Sequence, residues 1–370
     1  MSAAASGAAA NGGAGNGGAG NGGGAGGVPQ ARLPRIAIVG AASLIGEAVL
    51  EELQARKLLF AELHALEDGR NVAAAVGDET REFPLGDVAS FDFSRVDIVF
   101  FCGRAALSER YAQAAAAHAW CIDGSSAHRD RAEVPLVVAD VNPEVLQSVG
   151  TRGLIALPGS ASVALVTALA PLQAVAPLSR VEVATYHAVS GSGRGAMEEL
   201  ASETVALLSS RKAKGRAFGK QIAFNVIPHV DALDDQGVAR EERRLWDESR
   251  RVLACPSLPI NVTSVRVPVF FGHSLAVHAA FERPIDVADA LEALRGAKGV
   301  SVIDPKSSTE FPTPVTMATS PDKVYVGRVR ADLTRPEGLN FWLVADNVRK
   351  CAAYNAVSVA HILVNRLNKI

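Results

Sequence analysis

Leu157-Pro158-Gly159-Ser160-Ala161-Ser162 places a hydroxyl among small residues, directly ahead of an apolar run, Val163 to Leu169, that reads as a helix. A hydroxyl at a strand-to-helix junction can act as a nucleophile or lie beside a bound anion, because the first amides of a helix have no partner of their own. A second such stretch is Gly40-Ala41-Ala42-Ser43-Leu44-Ile45-Gly46. It follows the apolar run Ile36-Ala37-Ile38-Val39 and leads into a helical pattern through Val49, Leu50 and Leu53. Strand, glycine-bounded loop and helix form the first unit of a dinucleotide fold, which makes Gly40, Ser43, Leu44, Ile45 and Gly46 candidate cofactor contacts. The middle small residue is Ser43 rather than glycine, so a generic strand-helix turn is the competing reading. Leu63 to Leu66 reads as the next strand and ends at Glu67-Asp68, where this fold places a carboxylate on the adenine ribose. A 2'-phosphate would meet negative charge there, which favours NAD over NADP. The alternative is a solvated turn at Glu67-Asp68-Gly69. Ser190-Gly191-Ser192-Gly193 is a flexible turn that could wrap a phosphate with backbone amides.

The elements around these residues alternate. Val96 to Phe101 and Trp120 to Ile122 are strand candidates, and Pro135 to Val138 is another extended run. Between the first two, Ser108 to Ala117 reads as an Ala-rich helix with Tyr111 as its large apolar anchor. Strands alternating with helices indicate a parallel, doubly wound sheet. After Ser162 the texture changes. Val181 to Tyr186, Val262 to Val269, Ala276 to Phe281 and Val324 to Arg330 alternate as half-buried strands do. Ala196 to Leu208 and the strongly charged Arg240 to Leu253 read as helices, and Asp346 to Leu367 as a closing helix. The expected fold is α/β: a split Rossmann-like dinucleotide-binding domain, 31–155 with 346–370, and an α+β domain over 156–345.

Residues 1 to 30 are nearly all Gly, Ala, Asn and Ser, with Asn-Gly-Gly recurring, and are expected to be a disordered tail. The 370 residues carry a net charge of -2, with 48% hydrophobic and 21% charged side chains. That balance suits a large core and, with no Lys/Arg stripe, excludes nucleic acid as the expected partner. Cys102, Cys121, Cys255 and Cys351 form no Cys-x-x-Cys pair, so no metal site and no disulfide framework is expected. No segment reaches the roughly 18 apolar residues of a membrane span, and no signal peptide is recognisable; cytoplasmic residence without membrane contact is the expectation.

The chain resembles the aspartate-semialdehyde dehydrogenases, and more closely their degenerate homologues that lack the catalytic cysteine. The resemblance runs from Arg35 to Leu367. It is carried by Gly40 to Gly46, Ser125-Ser126-Ala127-His128-Arg129, Val134-Pro135-Leu136-Val137-Val138 and Ser190-Gly191-Ser192-Gly193. Phe224-Asn225-Val226-Ile227-Pro228, Arg266-Val267-Pro268-Val269, Gly272-His273-Ser274 and Asp346-Asn347-Val348-Arg349-Lys350 complete it. The resemblance implies a homodimer or tetramer, a nicotinamide cofactor and a small anionic metabolite. In the family a thiolate adds to the aldehyde of aspartate semialdehyde, hydride leaves to NADP, and phosphate releases aspartyl phosphate.

The same resemblance assigns roles and exposes departures. The family's Asn-Pro-Asn-Cys is Leu157-Pro158-Gly159-Ser160 here, so Ser160 stands at the nucleophile position. The acyl-orienting Gln is His187. His273 corresponds to the general base, Arg266 to the residue gripping the substrate carboxylate, and Arg129 to the phosphate-binding arginine. Glu241 and Arg244 fall on the positions for substrate amine and phosphate, the latter a lysine in the family; a solvated helix face is their plainer reading. On the cofactor side Asn355 is kept, Gly124 and Asp68-Gly69 depart, and Cys351 introduces a thiol into the nicotinamide loop. A hydroxyl is far less acidic than a thiol of pKa about 8.5, so the family reaction should be lost or strongly reduced. An active dehydrogenase of amino-acid biosynthesis is the alternative, and a Ser160/His187 hydrolase is the remote one.

Overall fold

Short apolar runs buried on both faces build one parallel sheet, and longer alternating runs build a second, mixed one. The structure is a computed structural model and describes residues 32–69, 75–77, 81–213, 215–303, 309–317 and 322–367. The expected tail, residues 1 to 30, lies outside these. The first half runs β1 (Arg35–Val39), α1 (Leu44–Ala55), β2 (Glu62–Glu67), β3 (Ala75–Gly77), β4 (Glu82–Asp87), β5 (Ile98–Phe101), α2 (Ala105–Ala116), β6 (Trp120–Asp123) and β7 (Gly153–Ala156). The second runs α3 (Ser160–Val175), β8 (Leu178–His187), α4 (Arg194–Leu208), α5 (Arg240–Val252), β9 (Ile260–Arg266), β10 (His273–Phe281), α6 (Val287–Gly296), β11 (Val300–Val302), α7 (Pro314–Met317), β12 (Val324–Ala331), β13 (Gly338–Ala345) and α8 (Asn355–Leu367).

Seven strands form the first sheet in the order β3-β4-β2-β1-β5-β6-β7. All neighbours are parallel except β3 and β4. β1 lies between β2 and β5, so the loops leaving β1 and β5 meet at the point where strand order reverses. A crevice opens at such a switch point in doubly wound sheets. Gly40 adopts φ +82° there, and a Cβ on it would come within 2.5 Å of the Gly103 backbone. The second sheet has six strands in the order β11-β12-β13-β10-β8-β9. Its β8–β9 and β11–β12 pairs are parallel and the rest antiparallel. α3 packs into the core of this second sheet. Its Val163, Leu165, Val166 and Leu169 are no more than 1% exposed, and apolar residues surround it on all sides.

Several elements differ from the sequence expectation, each for a local reason. Pro135 to Val138 makes only an isolated bridge, Leu136 to Ala156. Val137 N–H and Pro135 O bond the Ala156 backbone, and side chains take others of the segment's backbone groups. Asn142 accepts from Val138 N–H and donates to Leu136 O, while Asn355 accepts from Ala139 N–H and donates to Val137 O. α2 starts earlier than expected, so the buried Leu107 is its anchor and Tyr111 is half-buried. The closing segment is not one helix: a π-helical turn spans Arg349–Tyr354 before α8 begins. β9 ends at Arg266 rather than Val269. No helix of the described residues is long and apolar enough to cross a membrane.

Asn355 is 2% exposed and both ends of its amide satisfy buried backbone groups. Asn355→Ala leaves an N–H and a C=O unpaired, at about 1–3 kcal/mol each. A lowered midpoint in urea denaturation is the expected result; an unchanged midpoint would show that water replaces the amide freely.

Candidate active site

The ends of β8 and β9 deliver two functional side chains side by side. His187 closes β8, Arg266 closes β9, and they pair in parallel register. His273 opens β10, which runs antiparallel to β8. Ser160 is the first residue of α3, behind the N-cap Gly159. Glu241 and Arg244 come from the first turns of α5, and Arg129 from the loop after β6. These seven side chains line one cavity of about 370 Å³, together with Ile45, Ser190, Gly191 and Cys351. Ser160, His187, His273, Arg129, Arg266, Glu241 and Arg244 are therefore brought together as the sequence analysis expected.

Two buried imidazoles face each other, their ring centroids 4.4 Å apart. His273 Nδ1 accepts the Ala188 N–H at 3.2 Å, so neutral His273 carries its proton on Nε2. His187 Nε2 lies 2.9 Å from Thr185 Oγ1, whose own proton goes to Ser264 Oγ. That network puts the His187 proton on Nε2 and leaves Nδ1 as an acceptor. Burial, aided by the Arg266 cation, pushes the His187 pKa down to about 3. Burial, His187 and Arg266 together hold His273 well below the usual imidazole range. Both are neutral at physiological pH. Ser160 makes no hydrogen bond to either ring, and no carboxylate orients His187, so the hydrolase arrangement is not formed.

Charge in and beside the cavity comes from three guanidiniums and three carboxyl groups. Arg129 donates from Nε to Leu157 O and from Nη2 to Gly124 O, both at 2.7 Å, which leaves Nη1 toward the cavity. Arg266 donates from Nη1 to Ala188 O, and burial lowers its pKa to about 10, so it remains a cation. Arg244 pairs with Asp231 at 3.2 Å. Burial raises Glu241 to about 7; Glu248 adds to the rise, and Arg129, Arg244 and Arg266 oppose it. Glu248 is 1% exposed and accepts the Gly159 N–H at 2.7 Å. Cys351 is buried on the cavity wall with its thiol pushed up to about 12 by burial, so it supplies no thiolate.

The candidate cofactor residues lie in two groups. Gly40, Ser43, Leu44, Ile45 and Gly46 form the turn into α1. Ser43 caps α1, accepting from Gly46 N–H at 3.0 Å and donating to Cys102 O. Glu67 accepts from Ala42 N–H at 3.0 Å and so fastens this loop, while Asp68 pairs with the exposed Arg104. Ser190 exchanges hydrogen bonds with Asn347, which also accepts from Gly272 N–H and thereby joins two turns. Gly193 adopts φ +85° ahead of α4. Asn355 is away from the cavity lining, its amide committed to Val137 and Ala139.

Glu248, Thr185, Asp231 and Asn347 were missed. Two were open to detection: Glu248 stands two helical turns after Glu241 on the same face of α5, and Thr185 stands two residues before His187 on the same face of β8. Asp231 sits in an irregular segment with φ +68°, where spacing gives no guide.

A family model described as semialdehyde dehydrogenase, NAD binding domain, matches residues 35–149, and one described as semialdehyde dehydrogenase, dimerisation domain, matches residues 169–350. The aspartate-semialdehyde dehydrogenase of Legionella pneumophila is 40% identical over 329 residues, covering 89% of this chain and 95% of its own length. The USG-1 protein homolog of Azotobacter vinelandii is 38% identical over 332 residues, covering 90% and 98%. The crystal structure of aspartate semialdehyde dehydrogenase II complexed with ASA from Vibrio cholerae matches with a TM-score of 0.87 at 38% identity, covering 90% of this chain and 99% of that one.

Folded Glu241 keeps its proton up to about pH 7, against an ordinary carboxyl value of 4.5. The folded state thus binds more protons between those values, and this residue's contribution to stability falls as pH rises through the window. Glu241→Gln removes the dependence. Melting temperatures of variant and wild type, compared from about pH 5 to about pH 8, should shift in favour of the variant as pH rises. A difference independent of pH would mean that Glu241 ionises normally.

Proposed function

Because the chain belongs to the aspartate-semialdehyde dehydrogenase family, we propose that it is a member whose dehydrogenase turnover is lost or strongly reduced, while dinucleotide binding, small-anion binding and dimerisation are kept. The observation that carries this reading is the state of Ser160. Its hydroxyl has no hydrogen-bond partner among the described residues, and the two imidazoles in the cavity are buried and neutral, with His187 Nε2 engaged by Thr185, His273 Nδ1 engaged by Ala188 and neither ring bonded to Ser160. A hydroxyl needs a base in contact to become a nucleophile, whereas a thiol needs only a modest shift. His273 presents Nε2–H, a donor, so in this tautomer it can hold an oxyanion or carbonyl but cannot accept the Ser160 proton. An ester on Ser160 would also be less open to phosphate than a thioester.

The loop residues fit a nicotinamide dinucleotide. The first amides of α1, Leu44 and Ile45, have no acceptor among the described residues and suit a pyrophosphate. A Cβ on Gly46 would fall 2.3 Å from Gly40 O, so side chains are excluded where helix and loop pack. When bound, the dinucleotide supplies a ring that accepts or gives hydride. We assign NAD rather than NADP. Glu67, Asp68 and Asp87 gather beside Gly69 at the end of β2, opposed by Arg104, which is itself paired with Asp68. A 2'-phosphate there would face more negative charge than positive. Arg129, Arg244 and Arg266 are the residues that would bind the small anion. The matched dimerisation model supports a homodimer.

Thermal-shift titration separates the cofactors: NAD should give the larger shift, and a larger shift with NADP would overturn the assignment. In a steady-state assay with aspartate semialdehyde, phosphate and either cofactor, wild type should show no turnover above Ser160→Ala. Ser160→Cys, alone and with His187→Gln, should gain activity because the anion-binding set is in place. Wild-type turnover that disappears in Ser160→Ala would sink the non-catalytic reading.

A further inference from the structure

We propose that Arg251 is a positioning residue for the anion site. It holds the main chain of Arg129 so that the Arg129 guanidinium stays free for the small anion, and it does not touch that anion itself. The proposal deepens the small-anion reading above and rests on it.

Glu241, Arg244, Glu248 and Arg251 are three, four and three positions apart along α5. That spacing puts all four on one face of the helix, with alternating charge. Glu241 and Arg244 line the cavity. Glu248, buried beside it, accepts the Gly159 N–H and stands 3.9 Å from Arg129 Nη1. Arg251 is one turn further on and is not among the lining residues.

Its guanidinium gathers a loop instead. Arg251 Nη1 donates to Arg129 O, and Nη2 donates to Arg131 O at 3.1 Å and to Val134 O at 3.2 Å. Between β6 and Pro143 this segment has no helix or strand of its own. A loop without a ladder takes its shape from the side chains that bond it, and a planar fork suits several carbonyls at once. On the other side of Arg129, His128 Nδ1 lies 2.6 Å from Asp123 Oδ2, both side chains buried. The residue before Arg129 is thus fastened to β6, and the carbonyl of Arg129 is fastened to α5. The side chain between them reaches Leu157 O and Gly124 O.

The need for such a clamp lies at Glu248. Its Oε1 is buried and has no hydrogen-bond partner. Arg129 Nη1 is the nearby cation, and it is held about 1 Å beyond hydrogen-bond reach. A buried carboxylate oxygen draws in any donor that can move to it. Without Arg251 the loop loses three bonds, and a small shift closes Arg129 onto Glu248. The closed pair is neutral overall and has spent the donor that an anion would use. Arg251 therefore keeps Arg129 available by holding it back.

The test is isothermal titration of the full chain with inorganic phosphate, on wild type, Arg251→Met, Arg251→Lys, Arg129→Gln and the Arg129→Gln/Arg251→Met double variant. Arg129→Gln should weaken phosphate binding, leaving Arg244 and Arg266 as its cations. Arg251→Met should weaken it by about tenfold, the value of one hydrogen bond to a charged group. Arg251→Lys, which can hold the Arg129 carbonyl but cannot span all three, should recover part of that loss. In the Arg129→Gln background Arg251→Met should cost nothing further, because its effect passes through Arg129. A cooperative melting transition reports that each variant is folded. If Arg251→Met does not fold, Arg251→Lys takes its place in the cycle. A lowered melting temperature with unchanged phosphate affinity, or an equal loss of affinity in both backgrounds, overturns the positioning role and leaves the small-anion reading standing. Unchanged binding by Arg129→Gln removes Arg129 from the anion site and the proposal with it. Phosphate that fails to bind wild type overturns both readings.

Discussion

Helix α3 is buried along most of its length, and that constraint organises the site. With Ala161 to Leu169 buried throughout, the unpaired amides and the first residue at the N-terminal end must be exposed to a cavity or satisfied by protein. Here both occur. Gly159 N–H is satisfied by Glu248 from α5, while Ser160 opens on the cavity. Because the core fixes the helix, it also fixes the reference point against which β8, β9, β10 and α5 place their side chains. The sheet adds precision: His187 and Arg266 are register partners, so neither can move without breaking a strand pair.

Burial then decides the chemistry. Imidazoles in this interior are neutral, a carboxyl holds its proton to about pH 7, and the one cysteine on the cavity wall is a thiol. The guanidiniums keep their charge, as expected for groups of such high intrinsic pKa. Arg129 and Arg244 are opposed by Glu248 and Asp231, and these pairs with Arg266 set the electrostatic character of the cavity whatever the residue at position 160. A thiolate there would be stabilised by these cations. A serine hydroxyl gains nothing comparable, because no base touches it.

Much of this was legible in the sequence, and the illegible parts share a cause. Parallel strands announce themselves as apolar runs, and the glycine loop after β1 announces a switch point. All seven predicted catalytic and substrate residues lie in one cavity. What could not be read was where a polar side chain replaces a ladder partner. Pro135 to Val138 has strand composition, yet beyond its bridge to Ala156 it is held by Asn142 and Asn355, the latter more than 200 positions away. Asn355 shows the same limit: a motif fixes its position in a helix but not that its amide bonds Val137 and Ala139. The π-helical turn before α8 is likewise invisible to a periodicity argument that assumes a regular 3.6-residue repeat.

The arginines of the cavity hold the fold as well as charge the site. Arg129 bonds Leu157 O and Gly124 O, so it braces the segment leading into α3 against the loop after β6. Arg266 bonds Ala188 O and fixes the turn that carries Ser190. Glu248 both caps Gly159 and balances Arg129. Removing Arg129 would leave two carbonyls unpaired and a carboxylate uncompensated, and removing Arg266 would leave Ala188 O only its longer bond from Gly191 N–H, costs that fall on folding before they fall on any ligand. Position 160 has no such second duty, since the Ser160 side chain bonds nothing among the described residues. A cavity whose charged groups also hold its walls keeps its shape whatever side chain stands at that position.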